Sequence, residues 1–204
     1  MNTNLQNVRV RCAVLLIAAV ALSFTASARA EPVLGSDRAP VTIIEFGSLT
    51  CDYCVRFHRE VLPRIQSRYI ETRQVRFIYR DFPTGEAATL GAVAARCASD
   101  NYYTMLDALY ADVGNWSRAQ DIYAALIQLA TSLGLATWEF CACLNNPGQR
   151  RAIANQQRTA TKEYGVLGTP TFLINDKIVR GKQDFEQMTL LINAALADSS
   201  VRVE

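Results

Sequence analysis

Val41-Thr-Ile-Ile-Glu-Phe-Gly-Ser-Leu-Thr-Cys-Asp-Tyr-Cys54 is the stretch whose reading decides the fold. Its first six residues are rich in β-branched and apolar side chains. Ala39-Pro40 precedes them and Gly47-Ser48 follows, which is the pattern of a central strand. From about Asp52 to Thr72, Phe57, Val61 and Ile65 recur at i, i+4 and i+8, and predict a helix that Pro63 kinks. Val75-Arg-Phe-Ile-Tyr79 reads as a second strand, closed by Asp81-Phe-Pro83. Residues 41–80 are therefore one β-α-β unit.

Outward from that unit, the segments 86–98, 101–113, 118–133 and 137–144 are Ala-rich and Leu-rich, with helical spacing and no convincing strand. A further helix over about 149–164 leads to Gly165. Thr169-Pro-Thr-Phe-Leu-Ile174 and Lys177-Ile-Val-Arg180 then flank Asn175-Asp176, a hairpin signal, and an amphipathic helix from Phe185 to Leu196 follows. The order predicts an α/β sheet domain in two parts, 31–85 and 150–204, interrupted by an all-helical insertion over 86–149.

The 204 residues are half apolar and a fifth charged, which excludes disordered, collagenous and low-complexity classes. With 21 basic and 19 acidic side chains there is no basic excess to bind nucleic acid. Residues 1–30 carry Arg9, Arg11 and Arg29 and no acid. An apolar run from Cys12 to Phe24 ends in Ser-Ala-Arg-Ala at 27–30. That pattern predicts a signal peptide cut between Ala30 and Glu31, because thirteen residues are too few to span a bilayer. Its removal leaves 174 residues and takes the net charge from +2 to −1. The expected product is soluble and sits in an oxidising, exported compartment.

Cys51, Cys54, Cys97, Cys141 and Cys143 remain, an odd number, so at least one thiol lacks a stable partner within the chain. Cys51-Asp-Tyr-Cys54 falls where strand hands over to helix. Unpaired N–H groups and a partial positive charge at a helix start stabilise a thiolate on Cys51 and lower its pKa. Cys54, one turn further in, is positioned to close a disulfide and to be less accessible. A structural disulfide and a zinc site compete with this redox reading. Zinc would need further ligands from Cys141, Cys143 and His58, whereas a pair opening a long helix in an exported chain fits redox chemistry better. Glu45, inside the strand and six residues before Cys51, is either a strand-end acid reaching water or a buried acid that exchanges a proton with Cys54. His58, four residues after Cys54, reads as a polar-face residue that has some scope to tune the thiols. Trp116 and Trp138 read as packing.

Taken together, Glu45-(x5)-Cys51-x-x-Cys54, Phe57-His58, Arg80-Asp-Phe-Pro83, Phe140-x-x-Cys143-Leu144 and Gly168-Thr-Pro-Thr-Phe172 resemble DsbA-like thiol oxidases over nearly all of residues 33–197. The resemblance implies a thioredoxin fold with a helical insertion and a periplasmic, monomeric enzyme that needs no cofactor. It implies that Cys51 is the nucleophilic cysteine, Cys54 the resolving one, Glu45 the buried acid, and Thr169-Pro170 a cis-proline loop packed on the disulfide. It further implies a second disulfide between Cys97 and Cys143, a choice over Cys141 that helical spacing does not make. Cys141 is then the odd thiol, expected to be reduced. The implied partners are exported polypeptides with free thiols and a membrane quinone-linked protein that reoxidises the pair. The dipeptide Asp52-Tyr53 departs from the Pro-His of strongly oxidising members. A carboxylate beside the thiolate opposes it, so a weaker oxidant is expected. Thr169 before the proline is shared with isomerases. An isomerase or reductase on the same fold, or a non-catalytic binding protein with a structural disulfide, are the competing functions.

Overall fold

The computed structural model describes residues 31–135 and 137–201. The signal peptide read in residues 1–30 lies outside the described residues. Strand β1 (Val41–Gly47) leads through a tight turn into a helical rod, α1, over residues 52–70. Strand β2 (Val75–Asp81) then pairs with β1 in parallel, from Val41 opposite Val75 to Gly47 opposite Asp81. Strands β3 (Thr171–Ile174) and β4 (Lys177–Arg180) form an antiparallel hairpin, and β3 docks antiparallel on the other side of β1. The sheet order is β2-β1-β3-β4, which makes β1 central. Asn175 takes the left-handed conformation in the hairpin turn. Its backbone N–H donates to Thr42 O, and its side-chain oxygen accepts from Thr42 N at 2.8 Å, which locks the hairpin to the start of β1.

α1 departs from the expected single α-helix with a kink at Pro63. It alternates α-helix (Asp52–Arg56, Leu62–Ile65) with π-helical turns (Phe57–Val61, Gln66–Ile70). The π turn before Pro63 widens the ladder where the ring removes an N–H and crowds the preceding turn. Phe57, Val61 and Ile65 are all buried, as their spacing predicts.

The region between β2 and β3 holds helices α2 (Glu86–Cys97), α3 (Tyr102–Ala111), α4 (Val113–Trp116), α5 (Ile122–Ser132), α6 (Thr137–Leu144) and α7 (Pro147–Tyr164), with α8 (Phe185–Val201) after β4. Asp121 caps α5 by accepting from Ala124 N. Asn146 caps α7 by accepting from Gly148 N, with Pro147 in the first turn. Gly165 closes α7 at φ 60°, where a side chain would be strained. The insertion shares one apolar core with the sheet, from Val41, Phe77 and Phe172 through Met105 and Leu109 to Leu126, Phe140 and Leu144. A smaller cluster of Phe46, Phe82, Ala160 and Val166 packs separately under α7.

Two expectations change here. Trp116 is buried, its indole N–H donating to Leu109 O at 2.7 Å, but Trp138 is 74% exposed on α6 and lies outside the apolar core. His58 is not a polar-face residue: it is buried with the aromatic side of α1.

Candidate active site

Cys51 is the residue that starts α1, in extended conformation (φ −85°, ψ 119°) just outside its first turn. The turn that delivers it is held by Cys51 N–H to Ser48 O at 3.0 Å. Its sulfur is half-buried and lies 3.3 Å from the carbonyl oxygen of Thr169, to which the thiol donates. Cys54, one turn on, is fully buried. Both are thiols in this structure.

The two sulfurs differ sharply in acidity. The hydrogen bond from the Cys54 thiol is the largest influence on Cys51. Partial burial opposes it, while a side-chain hydrogen bond from Thr169 and the backbone N–H groups of Cys54 and Tyr53 reinforce it, bringing the Cys51 pKa down to about 6. Burial pushes the Cys54 thiol far above the usual thiol range. The hydrogen bond it gives to Cys51 and the charge of Glu45 add to the shift. Asp52 is exposed. The arrangement therefore holds an accessible sulfur that ionises readily beside a protected one that stays protonated.

The Thr169–Pro170 peptide bond is cis and sets its loop directly against Cys51. Thr171 Oγ1 donates to Gly168 O at 2.8 Å, and Gly181 N–H donates to Pro170 O at 2.9 Å, so both flanks of the proline are tied down. Tyr53 and Leu167, half and 83% exposed, present apolar surface on the two segments that meet at Cys51.

Glu45 is fully buried on β1, opposite Tyr79 on β2 and Phe172 on β3. Its Oε2 lies 2.9 Å from Nε2 of buried His58. The imidazole stacks on Tyr110 of α3 (ring centres 3.9 Å apart, 15° between planes) and meets Tyr79 edge-on. The phenol oxygens of Tyr79 and Tyr110 share a hydrogen bond of 2.9 Å, and burial holds both phenols well above their ordinary pKa. Gly47 makes room for this cluster, since a Cβ there would stand 2.4 Å from the Tyr79 ring and 3.0 Å from Glu45 Oε1.

The structure thus brings Cys51, Cys54, Thr169 and Pro170 together, with Cys51 and Thr169 half-buried and Cys54, Pro170 and Glu45 buried. Cys97 and Cys143 form a disulfide between α2 and α6, and Cys141 is a half-buried free thiol. With Cys143 in a disulfide and His58 on Glu45, neither is available as a zinc ligand. Tyr102 and Met105 are buried, and the hydroxyl of Tyr103 is bonded to Phe77 O and Pro32 O, so these three serve packing. Sequence reasoning gave His58 only some scope to tune the thiols, and missed Tyr79, Tyr110 and Thr171 as members of the site. Of these four, only His58, placed one turn after Cys54, carried a signal in the sequence.

A thioredoxin family model matches residues 27–194. The chain is 24% identical over 176 residues to a Rickettsia conorii protein named as a protein-disulfide oxidoreductase, an alignment covering 85% of this chain and 63% of that protein's length. It is 26% identical over 184 residues to the disulfide bond formation protein D of Bacillus subtilis, covering 86% of this chain and 82% of that one. Among solved structures, Wolbachia pipientis α-DsbA1 superposes with a TM-score of 0.77 at 27% identity, covering 84% of this chain and 94% of that chain. A central strand bearing a buried acid, a dithiol opening the helix after it, a cis-proline loop against the first sulfur and a helical insertion agree with these matches: the chain belongs to the thioredoxin family and is DsbA-like in fold.

Proposed function

We propose that the chain is a DsbA-like protein-disulfide oxidoreductase, exported to the periplasm by residues 1–30, that introduces disulfides into exported polypeptides through Cys51 and Cys54. The asymmetry of the two sulfurs carries this reading: Cys51 is accessible, with a pKa lowered to about 6, while Cys54 is buried and held protonated. In the oxidised pair, a client thiolate attacks Cys51 Sγ. The Cys51–Cys54 bond breaks, a client–Cys51 mixed disulfide forms, and Cys54 leaves with the electron pair and takes a proton. A second client thiolate attacks the client sulfur of that mixed disulfide, and Cys51 leaves as a stabilised thiolate. The client is oxidised by two electrons and the pair is reduced by two. A membrane quinone-linked protein is the expected acceptor that returns the pair to the disulfide. Tyr53 and Leu167 give the client's apolar segments a surface beside the reacting sulfur.

The test is the equilibrium potential of the pair in glutathione buffers, followed by the mass of the alkylated Cys51–Cys54 peptide. A value between about −80 and −180 mV is expected for a protein whose reduced form is stabilised at Cys51. A value near about −270 mV would make the chain a reductase. A pair that never becomes reduced in such buffers would be structural, and the chain a binding protein.

A further inference from the structure

Between the start of α1, the start of α2 and the turn after α4 lies a cleft of about 710 Å³. Thr50 and Asp52, the neighbours of Cys51 in the chain, form its lip, so it opens beside the reacting sulfur. Neither Tyr53 nor Leu167 lines it, and its apolar lining is short and aliphatic: Val55, Ala88 and Val113. The walls are held in place. Trp116 is buried and bonded to Leu109 O, and its ring edge and Leu49 both crowd the space over Gly91, which sets α4 beside the loop that delivers Cys51. Arg59 on α1 donates to the carbonyl oxygens of Tyr110 and Ala111 at the end of α3, at 3.0 and 2.6 Å. Ser117 N–H donates to Val113 O and Ala119 N–H to Trp116 O, which holds the turn that carries Arg118. A cleft tied down in this way needs little ordering when an occupant arrives.

The charges around it are exposed and unpartnered. Among the described residues, Asp52, Arg56, Glu60 and Arg118 make no hydrogen bond or ion pair. Glu86 is matched by Arg150. Arg59 gives its protons to two carbonyls, which accept hydrogen bonds but leave its charge uncancelled. With Glu86 set against Arg150, three cations (Arg56, Arg59 and Arg118) face two acids (Asp52 and Glu60), an excess of one positive charge. That excess stands out on a chain whose residues 31–204 carry a net charge of −1. Arg56 lies five residues beyond Cys51, about 7–8 Å along the helix axis. An extended chain covers that distance in about two or three residues. Arg118 stands on the wall formed by the insertion.

We propose that this cleft is a client subsite, selecting exported polypeptides that carry an acidic side chain about three residues from the cysteine being oxidised, with Arg56 and Arg118 the residues that read it. The proposal rests on the oxidoreductase reading above and names its substrate class. The client's apolar side chains lie on Tyr53 and Leu167, and its acidic one enters the cleft. Guanidinium groups suit the role, because their planar fork of N–H donors matches a carboxylate. Asp52, next to Cys51, repels an acid that directly adjoins the client cysteine, so position counts as well as charge. The covalent step is the one already described: the client thiolate attacks Cys51 Sγ and Cys54 leaves.

The test uses the oxidised protein and three peptides that differ only at the third residue on each side of a single cysteine, which is Glu, Gln or Lys. The rate of mixed-disulfide formation is measured at low salt and at about 0.5 M salt. Each rate is divided by that peptide's rate with a small uncharged disulfide, which removes the effect of the flanking charge on the peptide's own thiol. Two exposed contacts with arginine predict that the Glu peptide reacts about three- to tenfold faster than the Gln peptide, and the Lys peptide more slowly still. The ratio should fall toward one in high salt. The gain should lie in the peptide concentration that gives half the maximal rate, because the arginines do not touch the reacting sulfurs. Arg118→Glu should level the Glu and Lys peptides or reverse their order, and Arg56→Gln should cut the Glu preference by about twofold or more. Both positions are exposed and without hydrogen bonds, so substitution there leaves the fold standing. Arg151→Gln, on α7 and outside the cleft, should keep the full preference. Equal normalised rates for the three peptides would overturn the subsite. So would a Glu preference that survives in the Arg56→Gln, Arg118→Gln double variant, or one that Arg151→Gln lowers equally. A wild-type protein that forms no mixed disulfide with any of the peptides would overturn the oxidoreductase reading itself.

Discussion

Cys51 and Cys54 are the same side chain one helical turn apart, and the protein pushes their acidities in opposite directions. For Cys51 the donors outweigh partial burial and bring the pKa from an ordinary 9.0 to about 6. For Cys54 burial dominates and the thiol keeps its proton. The consequence for stability has a definite sign. A thiol whose pKa is lower in the folded than in the unfolded chain stabilises the fold when ionised. That contribution is fully present above about pH 9 and is lost as pH falls through about 6. The oxidised protein has no thiol at Cys51 and no such dependence. The thermal stability of the reduced form, measured relative to the oxidised form, should therefore rise between about pH 6 and 9, with thiolate absorbance rising around pH 6. A stability difference that is flat over that window would contradict the assigned acidity.

At the scale of elements, close approach of backbone to side chain decides where substitution fails. On α2, a Cβ added to Gly91 would stand 2.7 Å from Leu49 Cδ1 and 2.7 Å from the ring edge of Trp116. Alanine gains about 1 kcal/mol of helix propensity over glycine, but forcing a methyl against a buried indole costs about 1–3 kcal/mol. Leu49 has room to turn its terminal methyl. Trp116 does not, since it is buried and held to Leu109 O. Gly91→Ala should therefore lower the denaturation midpoint in urea, and a raised midpoint would show that the ring yields. These elements were largely legible in the sequence because their patterns are local. The β-branched run at 41–46, the Asn175-Asp176 turn and the Phe57/Val61/Ile65 stripe each name their own structure. Three features were not local. The π turns of α1 depend on how the rod packs around Pro63. The burial of His58 depends on Glu45, thirteen residues away on a strand, and on Tyr110 from the insertion. Trp138 looks like core by its chemistry, and only the placement of α6 turns it to solvent.

For the molecule as a whole, the question is what fixes the insertion to the sheet whose site it covers. The apolar core runs through both parts, and polar ties cross it. Arg96 on α2 donates to buried Asp81 at the end of β2 and to Gln156 on α7, while Arg150 on α7 pairs with Glu86 at the start of α2. The Glu86 pair is exposed and adds little. The Cys97–Cys143 disulfide is the strongest constraint within the insertion, because it joins its first helix to α6 across 46 residues of sequence. Spacing alone left Cys141 and Cys143 equivalent, since both flank the apolar stripe of a short helix. The packing of α6 on α2 separates them. In the chain-entropy treatment, closing a loop of that length stabilises the fold by about 4 kcal/mol. For a chain of this size, 1 kcal/mol shifts the melting temperature by about 2–4 °C. Replacing both residues by alanine should thus lower Tm by roughly 8–16 °C. Cys51 is served by α1 and the Thr169 loop, neither of which carries this disulfide, so its thiolate midpoint near pH 6 should stay in place. Calorimetry and thiolate absorbance on the Cys97→Ala, Cys143→Ala double variant check both halves. A shifted midpoint with an unchanged Tm would mean that the disulfide acts on the redox site and not on the stability of the insertion.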